Sequence, residues 1–112
     1  MSLTVQIYYT GFNGSARKFA EEMISSGLVE AIRNEEGNIR YDYFLPMEDP
    51  ETVLLIDCWR DQEALDFHHK SEMMKKIIEL RKKYHIHMQA ERFLPEKEDQ
   101  PLSERTANET TV

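Results

Sequence analysis

The run Thr52-Val53-Leu54-Leu55-Ile56-Asp57-Cys58-Trp59 is β-branched or apolar at every position but Asp57, which makes it a buried strand. Asp61 follows where a helix N-cap belongs, and Ala64, Leu65 and Phe67/His68 repeat behind it at helical spacing. The strand therefore leads straight into a helix that carries adjacent histidines, His68 and His69. A titratable group at such a junction projects into the cleft between a sheet and its helices. The plainer account keeps Trp59 in the core and both imidazoles on a half-buried surface.

The rest of the chain is arranged around that junction. Leu3 to Thr10 alternates, with Val5, Ile7 and Tyr9 on one face, and reads as a first strand. Gly11, Asn13 and Gly14 punctuate it, and Ser15 is placed to accept a hydrogen bond from the turn that follows. Ala16, Phe19, Ala20, Met23, Leu28 and Ile32 then form one helical stripe, with Gly27 weakening or bending the helix and Gly37 stopping it. Ile39, Tyr41, Tyr43 and Leu45 give a second strand, which pairs as a hairpin with Val53–Trp59 across a turn at Pro46, Asp49 and Pro50. The helical region after Asp61 is compatible with one helix or with two, the second starting at a Ser71 cap after a break at Lys70-Ser71 and burying Met74, Ile77 and Leu80. Tyr84 to Phe93 alternates again as a last strand.

Strand, helix, strand, strand, helix, strand is the split βαβ order of a ferredoxin-like α+β domain: a four-stranded antiparallel sheet with its helices on one face. With Val5, Tyr41, Tyr43, Leu55 and Trp59 facing the helices, Tyr8, Phe44, Leu54, Ile56 and Cys58 face the other way. An apolar outer face of that kind predicts a homodimer whose sheets pack together.

Length bounds the organisation: 112 residues make one domain, expected over residues 1–95, with an acidic tail over 96–112 that stays disordered or drapes over a partner. A net charge of −7 disfavours nucleic acid and anionic membranes as partners. The start lacks the pattern of a secretory leader and no apolar run nears the roughly 20 residues that cross a bilayer, so a cytoplasmic location is the expectation. The single cysteine, Cys58, excludes an internal disulfide. His85 and His87 share a face of the last strand, but no third ligand lies nearby in sequence, so no metal is expected. Glu35 and Glu36, at the end of a helix, are read as surface turn residues.

The order of elements, the EEGN turn at Glu35–Asn38, the W-x-D-x-x-A-L run from Trp59 to Leu65 and the H-x-x-S from His68 to Ser71 together resemble the antibiotic biosynthesis monooxygenase family, whose members are dimeric α+β barrels. The likeness covers Leu3 to Pro95. It implies a pocket between sheet and helices, with Trp59 lining it and His68 at the position of the motif histidine. Relatives include cofactor-independent oxygenases of aromatic, quinol-type substrates, haem-degrading enzymes and an isomerase of a phosphorylated sugar. Many place a second histidine where this chain has Met73, and the haem-degrading branch has an asparagine where this chain has Ile7, which disfavours haem degradation.

A cofactor-free oxygenase needs a base that works near neutral pH and groups that hold the resulting anion. His68 is the candidate base, since an imidazole titrates near about pH 6.5. Trp59 is placed to stack on a substrate ring, and Tyr41, Tyr43 and Asp57 to hydrogen-bond it. His69 points about 100° away on a helix and is assigned to no shared site. The expectation is a monooxygenase of an aromatic or quinol-like small molecule without a bound cofactor. The alternatives are an isomerase of a small carbonyl compound, in which His68 moves a proton, and a non-catalytic dimeric binding module.

Overall fold

Strand β3 (Thr52–Trp59) lies between β1 (Leu3–Thr10) and β2 (Asn38–Phe44), and β4 (His87–Phe93) completes the sheet on the far side of β1. All three pairings are antiparallel, in the order β2-β3-β1-β4 of the ferredoxin-like topology. The protein is described by a computed structural model over residues 2–94. The expected acidic tail lies outside those residues.

The pleat sorts the side chains as the alternation requires. Val53, Leu55, Asp57 and Trp59 are buried on one face of β3, whereas Leu54, Ile56 and Cys58 on the other are half-buried. Tyr41 and the β1 residues Leu3, Val5 and Tyr9 join the buried face. Phe19, Met23 and Ile32 from the first helical connection and Leu65 and Ile77 from the second complete the main core, beside a smaller cluster of Ala16, Ala20 and Val53. Both helical connections therefore cover the same side of the sheet. Ile39 departs from the expected strand pattern: a bulge between Asn38 and Arg40 shifts the register against β3 and leaves Ile39 exposed.

The helices form four segments, α1 (Ser15–Ser25), α2 (Leu28–Arg33), α3 (Gln62–His69) and α4 (Glu72–Lys83): the break at Lys70-Ser71 is where the sequence offers one, and the division of the first helix is not. Gly27 does more than bend the first region. At φ 86° it is left-handed, which ends the α1 ladder and starts α2 in a new direction. Ser15 also differs, since its hydroxyl accepts from Phe12 N behind it rather than from the following turn. The last strand starts at His87 instead of Tyr84. The chain leaves α4 through His85 at φ 53°, with His85 N donating to Lys82 O and Ile86 N to Arg81 O, a helix ending of the left-handed type. His85 and His87 consequently do not share a strand face.

Among the described residues no helix is long and apolar enough to cross a membrane.

Candidate functional site

The turn that follows α2 rests directly on the start of α3. Arg60 N donates to Gly37 O at 2.7 Å, and a Cβ on Gly37 would lie 2.5 Å from the Ala64 Cβ. Only glycine permits that approach, and its φ of 87° is itself a conformation that other residues resist. His68 stands one helical turn beyond Ala64 on the same face of α3. Docking the turn on Ala64 thus carries Glu35, two residues before Gly37, to the His68 ring.

Both Glu35 carboxylate oxygens lie 3.1 Å from His68 Nδ1. The side chains are 6% and 4% exposed, so water competes little for the contact. A carboxylate only accepts, so Nδ1 carries the proton and donates, leaving Nε2 as the basic nitrogen. Ser71 fastens the end of α3 rather than the ring, its hydroxyl donating to the His68 backbone carbonyl at 2.7 Å. That bond replaces the side-chain cap expected of Ser71 on α4.

Trp59 supplies the opposite wall. Its fully buried indole stacks on the His68 ring at 4.8 Å and 27°, and its Nε1–H donates to Asp57 Oδ1 at 3.0 Å. Burial pushes the Asp57 carboxyl up to about 7, against the opposing pull of the indole N–H. Burial also drives the hydroxyls of Tyr9, Tyr41 and Tyr43 well above the ordinary tyrosine range, so all three are donors at neutral pH.

A cavity of about 70 Å³ opens beside this group, bordered by Asp57, His68, His69, Tyr9, Tyr41 and Arg81 among others. Of the residues nominated from the sequence, His68, Tyr41 and Asp57 reach it, Trp59 stands behind the imidazole, and the Tyr43 hydroxyl is buried without a hydrogen-bond partner among the described residues. His69 reaches it too, contrary to its expected separation from His68. The cavity wraps the last turn of α3, and the two rings lie 5.8 Å apart. Burial holds the His69 imidazole below its usual range, with the neighbouring His68 adding to the effect. A wider groove of about 530 Å³ between α1, α2 and α4, bordered by Glu22, Lys76 and Lys83, contains none of these groups. Among the described residues no three His, Cys, Asp or Glu side chains cluster as metal ligands.

Residues 2–80 match the family described as Antibiotic biosynthesis monooxygenase. The chain belongs to this family. A Bacillus subtilis (strain 168) protein named "Putative monooxygenase YcnE" is 36% identical over 53 residues, 46% of this chain and 56% of that protein, so the match spans little more than half the length of that curated relative. Among solved structures, PA3566 from Pseudomonas aeruginosa has a TM-score of 0.74 at 23% identity, over 86% of this chain and 95% of its own. SnoaB from Streptomyces nogalater, described as a cofactor-independent oxygenase, has a TM-score of 0.72 at 11% identity, over 89% and 98%. At these identities the structural likeness establishes the shared fold.

The stretches that carry the family resemblance now have physical roles. Asp61 Oδ1 accepts from Ala64 N at 2.9 Å and starts α3, Ala64 receives the Gly37 turn, Leu65 enters the core, and Ser71 fastens His68. Sequence reasoning missed Glu35 because a helix-end carboxylate followed by Glu-Gly-Asn looks solvated. The available signal was Gly37, a left-handed turn residue immediately after it. Arg81 was missed as one charge among several on α4.

Proposed function

We propose that the protein is a cofactor-independent monooxygenase acting on an aromatic or quinol-like small molecule. The observation that carries this reading is the buried Glu35–His68 pair, stacked on Trp59 and set beside a cavity edged by Asp57 and tyrosine hydroxyls. His68 Nε2 takes the substrate's phenolic or α-carbonyl proton, and the Glu35 carboxylate and the Trp59 ring stabilise the imidazolium that forms. The electron-rich anion then reduces dioxygen directly. Where the substrate has an activated ring CH₂ it becomes a carbonyl, and in a hydroquinone one ring C–H becomes C–OH as the ring is oxidised to the quinone; in both, one oxygen atom enters the product and the other leaves as water, so the substrate supplies all the electrons. Tyr41 and the protonated form of Asp57 donate hydrogen bonds to the substrate oxygens, Tyr43 lies outside the cavity lining, and Trp59 fixes the base against its ring plane.

A cavity of about 70 Å³ is smaller than the roughly 150 Å³ that accommodates a benzene ring. Met74 and Met88 border it, and their unbranched thioether chains are suited to moving aside as a substrate enters. The assembly in this reading is a homodimer through the outer sheet face. The half-buried Tyr8, Leu54, Ile56 and Cys58 and the 38% exposed Phe44 support it.

Oxygen uptake tests the activity. The metal-stripped protein, offered a panel of hydroquinones and polyphenols, consumes oxygen above the spontaneous rate, and His68→Ala abolishes the excess. No uptake with any compound rejects the oxygenase, and full uptake by His68→Ala rejects His68 as the base.

A further inference from the structure

Arg81 borders the cavity from α4, and its Nε is buried with no hydrogen-bond partner among the described residues. Its Nη1 faces the Met88 sulfur, a weak acceptor. The ion pairs among the described residues engage Arg33, Arg40, Arg60, Lys75, Lys83 and His68, and none reaches Arg81. A guanidinium is always charged, and holding one at a cavity wall without an anion is costly. Arg81 is half-buried and also edges an open groove with Ile78, Lys82 and His85, and its unpartnered Nε leaves a donor that a ligand in the cavity can engage.

We propose that Arg81 holds an ionised oxygen of the bound molecule, so the site takes its aromatic ligand as a phenolate or carboxylate. The planar guanidinium fork matches either group, whereas a neutral ether or ketone leaves it unpaired. The surroundings agree with an anion. Arg81 lies close enough to the Tyr9 hydroxyl to act on its ionisation, and Tyr9 and Tyr41 stay protonated as donors. Asp57, the carboxyl on the same wall, is only partly ionised at neutral pH and so repels an anion less than an ordinary aspartate does. This specificity deepens the oxygenase reading: Arg81 stabilises the anion that His68 generates, or selects a ligand that arrives ionised.

The test uses two probes of similar shape, para-nitrophenol and para-nitroanisole, and requires no turnover. The wild-type protein binds para-nitrophenol in its yellow phenolate form, developing that absorbance at lower pH than in free solution, and binds para-nitroanisole more weakly. Arg81→Met loses phenolate affinity by about tenfold or more, the value of one charge-assisted hydrogen bond, and loses the absorbance shift. Arg81→Lys keeps most of both, and para-nitroanisole binding is the same in wild type and Arg81→Met. Unchanged phenolate binding in Arg81→Met, equal wild-type binding of the two probes, or binding of neither overturns the proposal. The comparison of probes on the wild type stands even where a variant does not fold. Because no oxygen is consumed, failure of the oxygenase reading leaves a distinct signature: phenolate binding through Arg81 with no uptake.

Discussion

Glu35 and His68, 33 residues apart in sequence, meet with both carboxylate oxygens 3.1 Å from Nδ1. The pair fixes the ring plane, and in the proposed reaction it keeps Nε2 aimed as the base. Glu35→Gln keeps the shape but accepts through one oxygen only and presents a competing N–H donor. Oxygen uptake is expected to fall by about a hundredfold, within the range of one positioned general base. The loss appears in kcat more than in KM, because Glu35 touches His68 and not the cavity. Glu35→Ala leaves the buried imidazole unpaired and is expected to lower stability by about 3 kcal/mol in urea unfolding. Wild-type kcat in Glu35→Gln would show the contact to be structural only.

Gly37→Ala is expected to be costly in both stability and activity. The added Cβ has no room beside Ala64, and φ 87° is strained for alanine. A loss of about 2–3 kcal/mol follows from left-handed strain plus the clash, read from the urea midpoint. The turn lifts off α3 and takes Glu35 with it, so uptake falls too. Combined with Glu35→Gln, Gly37→Ala adds little further loss of uptake, because both act through one contact. Additive losses would separate the turn from the base.

The fold was legible where a periodic signal exists. β1 alternates, β3 is a near-continuous β-branched and apolar run, and Asp61 caps α3 as its side chain predicts, so the strands, the helix and the position of His68 followed from residue order. Four residues followed no period. Gly27 was read as a weak point in a continuous apolar stripe, since the stripe survives the change of axis from α1 to α2. His85 was read into a strand because alternating His-Ile-His looks the same whether or not its first residue is left-handed. Glu35 and Arg81 owe their placement to tertiary packing: one is set by the Gly37–Ala64 approach, the other by the side of α4 that meets β4. Local patterns report which face a residue takes, but not which distant side chain it meets there.

The outer sheet face makes its own prediction. Ile56 sits at the centre of that face, opposite Gln6 on β1 and Asp42 on β2. Ile56→Lys places a charge in any sheet-to-sheet contact while leaving the helix-covered core untouched. Light scattering is expected to give a dimer for the wild type and a monomer for the variant, with the monomer's circular dichroism unchanged. A monomeric wild type would remove the dimer from the proposed function.

Asp57 makes stability depend on pH in the direction opposite to most carboxylates. Its folded carboxyl is raised to about 7 by burial, against an ordinary value of 3.8, so the folded chain holds a proton that the unfolded chain releases. Stability from this group is therefore intact below about pH 4, falls as pH rises towards about 7, and is flat above. The loss across that window is about 4 kcal/mol at most, from 1.36 kcal/mol per pH unit. Asp57→Asn retains an oxygen for Trp59 Nε1 and removes the titration, so the variant's advantage over wild type is expected to be small at pH 4 and to reach its full size by pH 8. Urea unfolding of both proteins across that range measures it. Parallel curves would mean that the Asp57 carboxylate is solvated well enough to ionise at its ordinary pH, and would open the cavity wall beside His68 to water.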